Sequence, residues 1–268
     1  MTKEKISYLE SIKTSKFDFS NVDKDELLNL LLEHIGDQNP YVRDDLVYKI
    51  LAHLYYDKIF DENILEENVK RLASCEYLTF DIENSHQYSV LKRSFTILQL
   101  VSLIHVHIRD KVIDKTIISN IFEKFLEYFS KEEVLIGYEQ PVGWIHTVVH
   151  SADLMKTMMQ IPWFHQKEII KMFDVIKLKM KNHRHLFNFN EDERIADALK
   201  VGLERGVLSD DYVIKWMDEF SQVNQIYPLP DDIIIKKNIK QVLRSLYFKC
   251  LKTESLNMIT KKLESLLT

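Results

Sequence analysis

Signals that begin a helix recur along this chain, and they limit its fold more than any other feature. Asp23, Asn63 and Asn190 each stand three residues before a glutamate, which is the spacing of a capping box. Asn39-Pro40 places a cap residue directly before a proline, which is favoured in the first helical turn. No segment alternates apolar and polar residues between turn dipeptides, so the pattern predicts helices and no β-sheet.

Between these signals the sequence predicts twelve helices, at 3–13, 23–35, 40–56, 63–74, 88–109, 114–130, 141–160, 165–182, 191–206, 209–223, 230–251 and 254–267. The chain has only five glycines and five prolines in 268 residues. Nucleotide-binding α/β folds and β-sandwiches need glycine for their tight turns, so both classes are disfavoured. The predicted fold class is all-α.

One segment favours a stack of helix pairs over a globular bundle. Residues 37–43, Asp-Gln-Asn-Pro-Tyr-Val-Arg, resemble the turn between the two helices of a HEAT repeat, in which proline opens the second helix. No second clean copy follows at the spacing of about 40–47 residues that such repeats have. We therefore predict an α–α superhelix of antiparallel helix pairs with degenerate repeats, forming a single domain over residues 1–268.

Net charge and hydropathy limit which cellular compartment and which class of binding partner we expect for this chain. The net charge of −5 disfavours nucleic acid, whose binding proteins usually carry a basic face. The N-terminal segment has no apolar core of a signal peptide, and the longest mostly apolar run, residues 96–108, is shorter than the roughly 20 residues that span a bilayer. Cys75 and Cys250 lie far apart in the sequence. We expect a cytoplasmic protein without a membrane segment or a disulfide framework.

The segment from Pro141 to Met155 holds the candidate site. In a helix over 141–160, His146, His150 and Asp153 stand at i, i+4 and i+7 and share one side. The rest of that helix is apolar almost all round, which is typical of a central helix. Burying these three polar groups is costly unless each is paired, is ligated or lines a pocket. They are the candidate catalytic residues.

Three interpretations of this stripe remain open. His146 and His150 could bind Zn²⁺ from one helix face, with Asp153 as a third ligand, although Thr147 stands where metalloprotease helices carry a glutamate. Alternatively, a histidine acts as acid, base or ligand donor in a metal-free pocket. In the third interpretation the residues form a structural network with neighbouring helices. Zn²⁺ is thus a candidate cofactor, not a required one.

The motif Gly143-Trp144-x-His146-x-x-x-His150-x-x-Asp153, preceded by Glu139, resembles a bacterial family known as domain of unknown function 2785. Arg93-Ser94-Phe95 and Glu191-Asp192-Glu193-Arg194 fit the same family, and the resemblance spans roughly residues 30–220. It implies a soluble helical protein and supplies no activity. Ser151 stands where we expect glycine, which would narrow a pocket.

Six further residues are candidate ligand contacts: Gly143, Trp144, Arg93, Glu139, Glu193 and Arg194. Each also has a plainer structural interpretation, and the tryptophan in particular is expected to belong to the core. A buried Arg93 needs an anionic partner, which could be Asp153, Glu139 or a bound anion. The capping box explains Glu193, and Arg194 with Asp197 has the spacing of an ordinary helical ion pair.

Two classes of function follow, and a third is weaker. The first is a module that binds a protein partner or a small-molecule ligand at the His146/His150/Asp153 stripe. The second is a hydrolase or another enzyme that uses the same residues, with or without Zn²⁺. The third, a HEAT-like DNA-binding protein, conflicts with the acidic net charge. No phosphate-binding loop or nucleophile motif is present to identify a reaction.

Overall fold

The computed structural model describes residues 1–83, 88–221 and 228–268. The α-helices of these ranges are α1 (Lys3–Thr14), α2 (Lys24–Glu33), α3 (Tyr48–Tyr56), α4 (Glu62–Leu72), α5 (Ser89–Asp110), α6 (Lys115–Lys131), α7 (Thr147–Met158), α8 (Gln166–Met180), α9 (Glu191–Glu204), α10 (Asp210–Asp218), α11 (Asp231–Cys250) and α12 (Asn257–Leu267). A π-helical turn (Tyr41–Val47), a 3₁₀ turn (Glu254–Leu256) and two short strands, β1 (Tyr138–Glu139) and β2 (Gly143–Trp144), complete the elements.

The all-α prediction is confirmed, and most helices begin and end close to the predicted residues. The predicted end of the helix over 209–223 falls partly on residues 222 and 223, which lie outside the described residues. No helix of the described ranges is both long enough and apolar enough to cross a bilayer.

The chain divides into two compact units. The first unit comprises Met1–Val134 and Tyr138–Ser151, and the second comprises Leu135–Gly137 and Ala152–Thr268. The division falls inside α7, so this one helix contributes residues to both units. The superhelix and the single domain stay predictions.

In the first unit, α3 continues directly from the π-helical turn and packs against α1, α2 and α5, and α5 also packs against α4. Aspartates cap several of these helices, and Asp23 is the one that the sequence predicted. The side chain of Asp23 accepts hydrogen bonds from the first turn of α2. In α4 the cap is Asp61, which binds the N–H of Ile64, and not the predicted Asn63. A carboxylate at this position binds N–H groups that have no partner inside the helix.

The π-helical turn follows the predicted Asn39-Pro40 start. The side chain of Asn39 accepts a hydrogen bond from the N–H of Tyr41, 3.0 Å away. The N–H of Tyr48 then donates to the carbonyl of Arg43, five residues earlier, where an α-helix would use the fourth. The Arg43 side chain is completely buried.

The predicted helix over 141–160 begins only at Thr147, and the prediction of no sheet is wrong at this place. Tyr138 pairs with Trp144, and Glu139 pairs with Gly143, in an antiparallel hairpin. Two residues are held at positive φ, Gly143 at 77° and His146 at 53°. A right-handed helix cannot run through such residues, so the backbone enters α7 only after His146.

In the second unit, α11 packs along α9 and also against α8 and α12. Ser209 caps α10 by accepting from the N–H of Tyr212. The guanidinium of Arg205 holds the turn that follows α7. It donates to the carbonyls of Met159, Ile161 and Phe164 at 2.6 to 2.8 Å, and so supplies the donors that the end of a helix lacks.

Candidate functional site

Four ring side chains of the first unit lie next to one another at the hairpin: Tyr138, Trp144, His146 and His150. We call them the aromatic platform. The Trp144 and His146 rings are parallel, with centroids 4.4 Å apart and planes 7° apart. Tyr138 meets Trp144 edge-on at 4.9 Å, and the His146 and His150 rings are 5.6 Å apart. Trp144 is 42% exposed, so the expectation that it belongs to the core is wrong.

Arg43 anchors the hairpin by hydrogen bonds to its backbone carbonyls. Its Nη2 atom donates to the carbonyls of Val142 at 2.9 Å and Trp144 at 3.0 Å. Its Nη1 atom donates to the carbonyl of Asp37, and its Nε atom forms an ion pair with Asp44 at 2.8 Å. The sequence places Arg43 only in a HEAT-like turn, 99 residues before Val142. Its role at the hairpin could not be inferred from local spacing.

Gly143 is needed at this point of the hairpin. Its φ of 77° is one that L side chains rarely adopt. A Cβ atom added there would lie 3.3 Å from Pro40 and 3.9 Å from the Arg43 guanidinium. The neighbour that Gly143 approaches closely is therefore Pro40, and its predicted role as a ligand contact stays a prediction.

Ser94 fixes the orientation of His150. The Ser94 hydroxyl donates to the carbonyl of Ile145 at 2.5 Å, so its hydrogen is not available to the imidazole. The Nδ1 atom of His150 lies 2.9 Å from Ser94 Oγ and 3.1 Å from the Ser94 carbonyl oxygen. Because both of these oxygens act as acceptors, we infer that Nδ1 carries a ring hydrogen.

The three predicted ligand residues fall into both units. His146 and His150 belong to the first unit, and Asp153 belongs to the second. The Asp153 carboxylate pairs with Arg194 at 3.4 Å, and burial raises its pKa. Across the described ranges, no group of three or more His, Cys, Asp or Glu side chains is placed to hold a metal ion. The zinc site stays a prediction.

Arg93 has a buried partner that the sequence did not indicate. Its guanidinium makes two contacts with Glu132, at 2.6 and 3.0 Å, and both side chains are 1% exposed. Tyr128 donates a further hydrogen bond to Glu132 at 3.0 Å. The anion that Arg93 binds is therefore Glu132, 39 residues away, and not Asp153 or Glu139. Glu139 lies opposite Gly143 in the hairpin and is half-buried.

Glu193 and Asp197 of the second unit belong to a charge network on α9. Asn190 has a φ of 68° and makes no capping bond, so the predicted capping box is wrong. Glu193 instead accepts from Ser245 and pairs with Lys249, both at 2.8 Å. Asp197 pairs with Lys249 at 2.8 Å and Lys156 at 3.4 Å.

Glu191 is a buried carboxyl whose environment the sequence did not reveal. Only 1% of it is exposed, and one oxygen accepts from the N–H of Phe189 at 2.6 Å. The other oxygen has no hydrogen-bond partner in the described part of the chain. Burial raises the pKa of this carboxyl. The sequence pattern treats residues 191–193 alike, as the acidic first turn of a helix. It therefore does not distinguish the buried Glu191 from the two acidic residues that follow it.

Comparison with known proteins places the chain in a family. No curated protein and no solved structure matches it. A family model described as protein of unknown function (DUF2785) matches residues 78–248, well over half of the chain. The matched range contains the hairpin, Arg93-Ser94-Phe95 and the start of α9. The chain therefore belongs to the DUF2785 family of proteins of unknown function.

Proposed function

We propose that this protein is a binding module, and that its ligand stacks on the aromatic platform of the first unit. The observation that carries the proposal is the exposed Trp144 ring, held parallel to His146. A large aromatic side chain that is partly exposed to solvent offers apolar area at a low cost in side-chain entropy. The ligand would carry a planar ring, as a small molecule or as a side chain of a protein partner.

The way the hairpin is held supports this proposal. A completely buried guanidinium is costly unless it is fully paired, and Arg43 uses two of its bonds on the hairpin carbonyls. A positive φ at His146, a residue with a Cβ atom, costs about 1–3 kcal/mol. The buried Arg43 guanidinium and the positive φ of His146 fix the orientation of an exposed ring, and they contribute little to the packing of a core. Such preorganisation reduces the entropy that a ligand loses on binding.

His150 gives the platform a polar group of fixed orientation. The contacts of Nδ1 with Ser94 fix the plane of this ring beside Trp144 and His146. A backbone carbonyl bonded to one ring nitrogen is the arrangement that orients histidines in polar sites, and the Ser94 carbonyl occupies that place here. A ring-bearing ligand with a polar substituent would therefore match both Trp144 and His150.

The alternative function is an enzyme that uses the same two histidines. A serine hydrolase with Ser94 as nucleophile and His150 as base is disfavoured, because the Ser94 hydrogen is committed to Ile145 and Nδ1 is already protonated. A zinc hydrolase would need a third ligand that the described residues do not group with the histidines. Binding requires neither and is the function that we propose.

The three tryptophans give a direct test. In protein labelled with ¹⁵N-tryptophan, Trp144, Trp163 and Trp216 each give one indole N–H signal, assigned from single phenylalanine variants. We expect indole, adenine or nicotinamide at millimolar concentration to move the Trp144 signal and to leave the buried Trp216 in place. Trp163 of the second unit is the matched control. Equal movement of all three signals, or none with any compound, would contradict the proposal.

A further inference from the structure

One face of α11, in the second unit, combines exposed cations with exposed apolar side chains. From Ile233 to Lys252 eight residues are exposed, of which five are cations and three are large and apolar. We call them the basic face: Ile233, Lys236, Lys237, Lys240, Arg244, Phe248, Leu251 and Lys252. None of the eight is acidic, although the net charge of the whole chain is −5. The nearest acidic residues in sequence are Asp232 before this face and Glu254 after it.

The helical period places most of the basic face in a single row. At about 100° per residue, six of its members fall within an arc of roughly 80°. They are Ile233, Lys237, Lys240, Arg244, Phe248 and Leu251. At about 1.5 Å per residue, the row is about 27 Å long. The cations occupy its middle, and the apolar side chains stand at its two ends.

The opposite face of α11 holds this row in place. Ile235, Val242 and Leu246 are buried in the core of the second unit. The helix packs against α9, α8 and α12. Rotating α11 to cover the basic face would bring these apolar side chains into water, so the row stays at the surface of the unit.

The cations in the middle of the row have charges that the unit itself does not neutralise. Lys236, beside the row, pairs with Asp232 at 2.6 Å. In the described part of the chain, Lys237, Lys240 and Arg244 form no ion pair. Like charges along one row repel one another, and an anionic surface would offset that repulsion.

The mixture of cations and apolar side chains indicates the class of partner. Phe248 is 63% exposed and Leu251 is 46% exposed, on the same face as the cations. At the boundary between lipid headgroups and acyl chains, cations meet phosphates while apolar side chains leave water. The phosphates of nucleic acid would match the cations and offer Leu251 no apolar partner. A protein partner would have to fit the shape of this row, whereas lipids rearrange around it.

We propose that the basic face of α11 binds the surface of a bilayer that contains anionic lipid. The helix lies parallel to the bilayer plane, and its cations contact the headgroups, as clusters of four to eight Lys and Arg do. Phe248 and Leu251 insert between the headgroups at one end of the row. The proposal is independent of the aromatic platform, because it uses residues of the second unit alone.

Co-sedimentation with lipid vesicles at low salt tests the proposal. We expect vesicles of phosphatidylcholine with about 30% phosphatidylserine to bind at least about tenfold more tightly than phosphatidylcholine alone, and added salt to weaken that binding. Lys240→Glu should weaken it at least about tenfold, because the row loses a cation and gains an anion. The matched control is Lys215→Glu, which makes the same change in net charge at an exposed position of α10. It should leave vesicle binding within about twofold.

Insertion of the apolar side chains distinguishes lipid from other anionic partners. In Phe248→Trp, lipids brominated on their acyl chains should quench the added indole fluorescence about twofold, beyond any quenching of the parent protein. Phe248→Ser should weaken vesicle binding at least about fivefold, because less apolar area leaves water. Since Phe248 is exposed, both variants should melt at the temperature of the parent.

Four results would overturn the proposal. One is equal binding to the two kinds of vesicle, and another is a loss in Lys215→Glu as large as that in Lys240→Glu. The third is fluorescence in Phe248→Trp that brominated lipids do not quench beyond the parent. The fourth is binding to a short DNA duplex that depends on Lys240, with no binding to the vesicles, which would assign the basic face to nucleic acid.

Discussion

The two units use their charged residues in different ways. The first unit buries Arg43 and Arg93 completely and gives each a set of fixed partners. In the second unit, Glu193, Arg194, Asp197 and Lys249 remain between a quarter and a half exposed. When one partner of a buried ion pair is removed, the other charge stays buried without hydration. When one partner of an exposed ion pair is removed, water hydrates the remaining charge. The same kinds of contact should therefore differ several-fold in their effect on stability.

The largest effect is expected for Arg93→Met. This variant leaves the Glu132 carboxylate buried without its cation, and we expect the free energy of unfolding in urea to fall by about 3–5 kcal/mol. The double variant Arg93→Met/Glu132→Leu is the control, since it leaves no buried charge and should recover more than half of the loss. A loss below about 1 kcal/mol for the single variant would show that burial is not what makes this pair important.

Arg43→Met should come next, at about 2–4 kcal/mol, because the carbonyls of Asp37, Val142 and Trp144 lose their donor. The Trp144 indole signal should also move, since the hairpin is no longer held. Lys49→Met is the matched control: it removes a nearby exposed cation that pairs with Asp45, and should change stability by about 0.5 kcal/mol or less. An unmoved indole signal in Arg43→Met would mean that the guanidinium does not position the platform.

Glu191 is a buried ionisable residue of the second unit, as Lys179 and Asp232 are, and its effect on stability depends on pH. Burial raises the pKa of Glu191, so the folded chain binds this proton more tightly than the unfolded chain. The contribution of Glu191 to the free energy of unfolding is complete below its pKa in the unfolded chain. It is lost as the pH rises through its pKa in the folded chain. We therefore expect Glu191→Gln to stabilise the protein at neutral pH by about 1 kcal/mol, with no gain in acid, in melts across the pH range.

Glu193→Gln on the same helix is the control of opposite sign. The bonds from Lys249 and Ser245 lower the pKa of Glu193, so its stabilisation is present at neutral pH and is lost as the pH falls. The glutamine variant should be slightly less stable than the parent at neutral pH and equal to it in acid. If both variants shifted in the same direction, burial would not be the cause of the difference.

The smallest effect is expected for Lys249→Met. Lys249 pairs with both Glu193 and Asp197, but it lies near the surface, and we expect a loss of about 0.5–1 kcal/mol. Salt screens exposed charges, so urea unfolding at high ionic strength should show a smaller loss still. A loss above about 2 kcal/mol that salt does not change would place this network with the buried pairs, and the contrast between the units would fail.

The sequence predicts the helices well because their signals are local. A cap such as Asp23 and the apolar face that follows it lie within a few residues of each other. The hairpin escaped prediction because strands of two residues are too short to alternate, and because Pro141 is equally suited to a first helical turn. Nothing in the local sequence indicates the positive φ of His146, because most histidines have a negative φ.

The candidate site was predicted in part. His146, His150 and Trp144 do lie together, because they are neighbours in sequence. The residues that anchor them are distant in sequence, since Arg43 and Ser94 come from elements about 100 and 50 residues earlier. The partners of Arg93 and Glu193 were also missed, since Glu132 and Lys249 stand 39 and 56 residues away from them. Contacts of this kind require the tertiary structure.

The π-helical turn at Tyr41–Val47 affects how relatives of this chain should be aligned. Since the Tyr48 N–H reaches back five residues to Arg43, this turn accommodates one residue more than an α-helical turn. Deleting that one residue would let the turn close as an ordinary α-helical turn, with the segments on either side keeping nearly the same orientation. A relative that is one residue shorter here could therefore keep the apolar face of α3 in place. A single-residue gap at this point would mark a subgroup with an α-helical turn in place of the π-helical one.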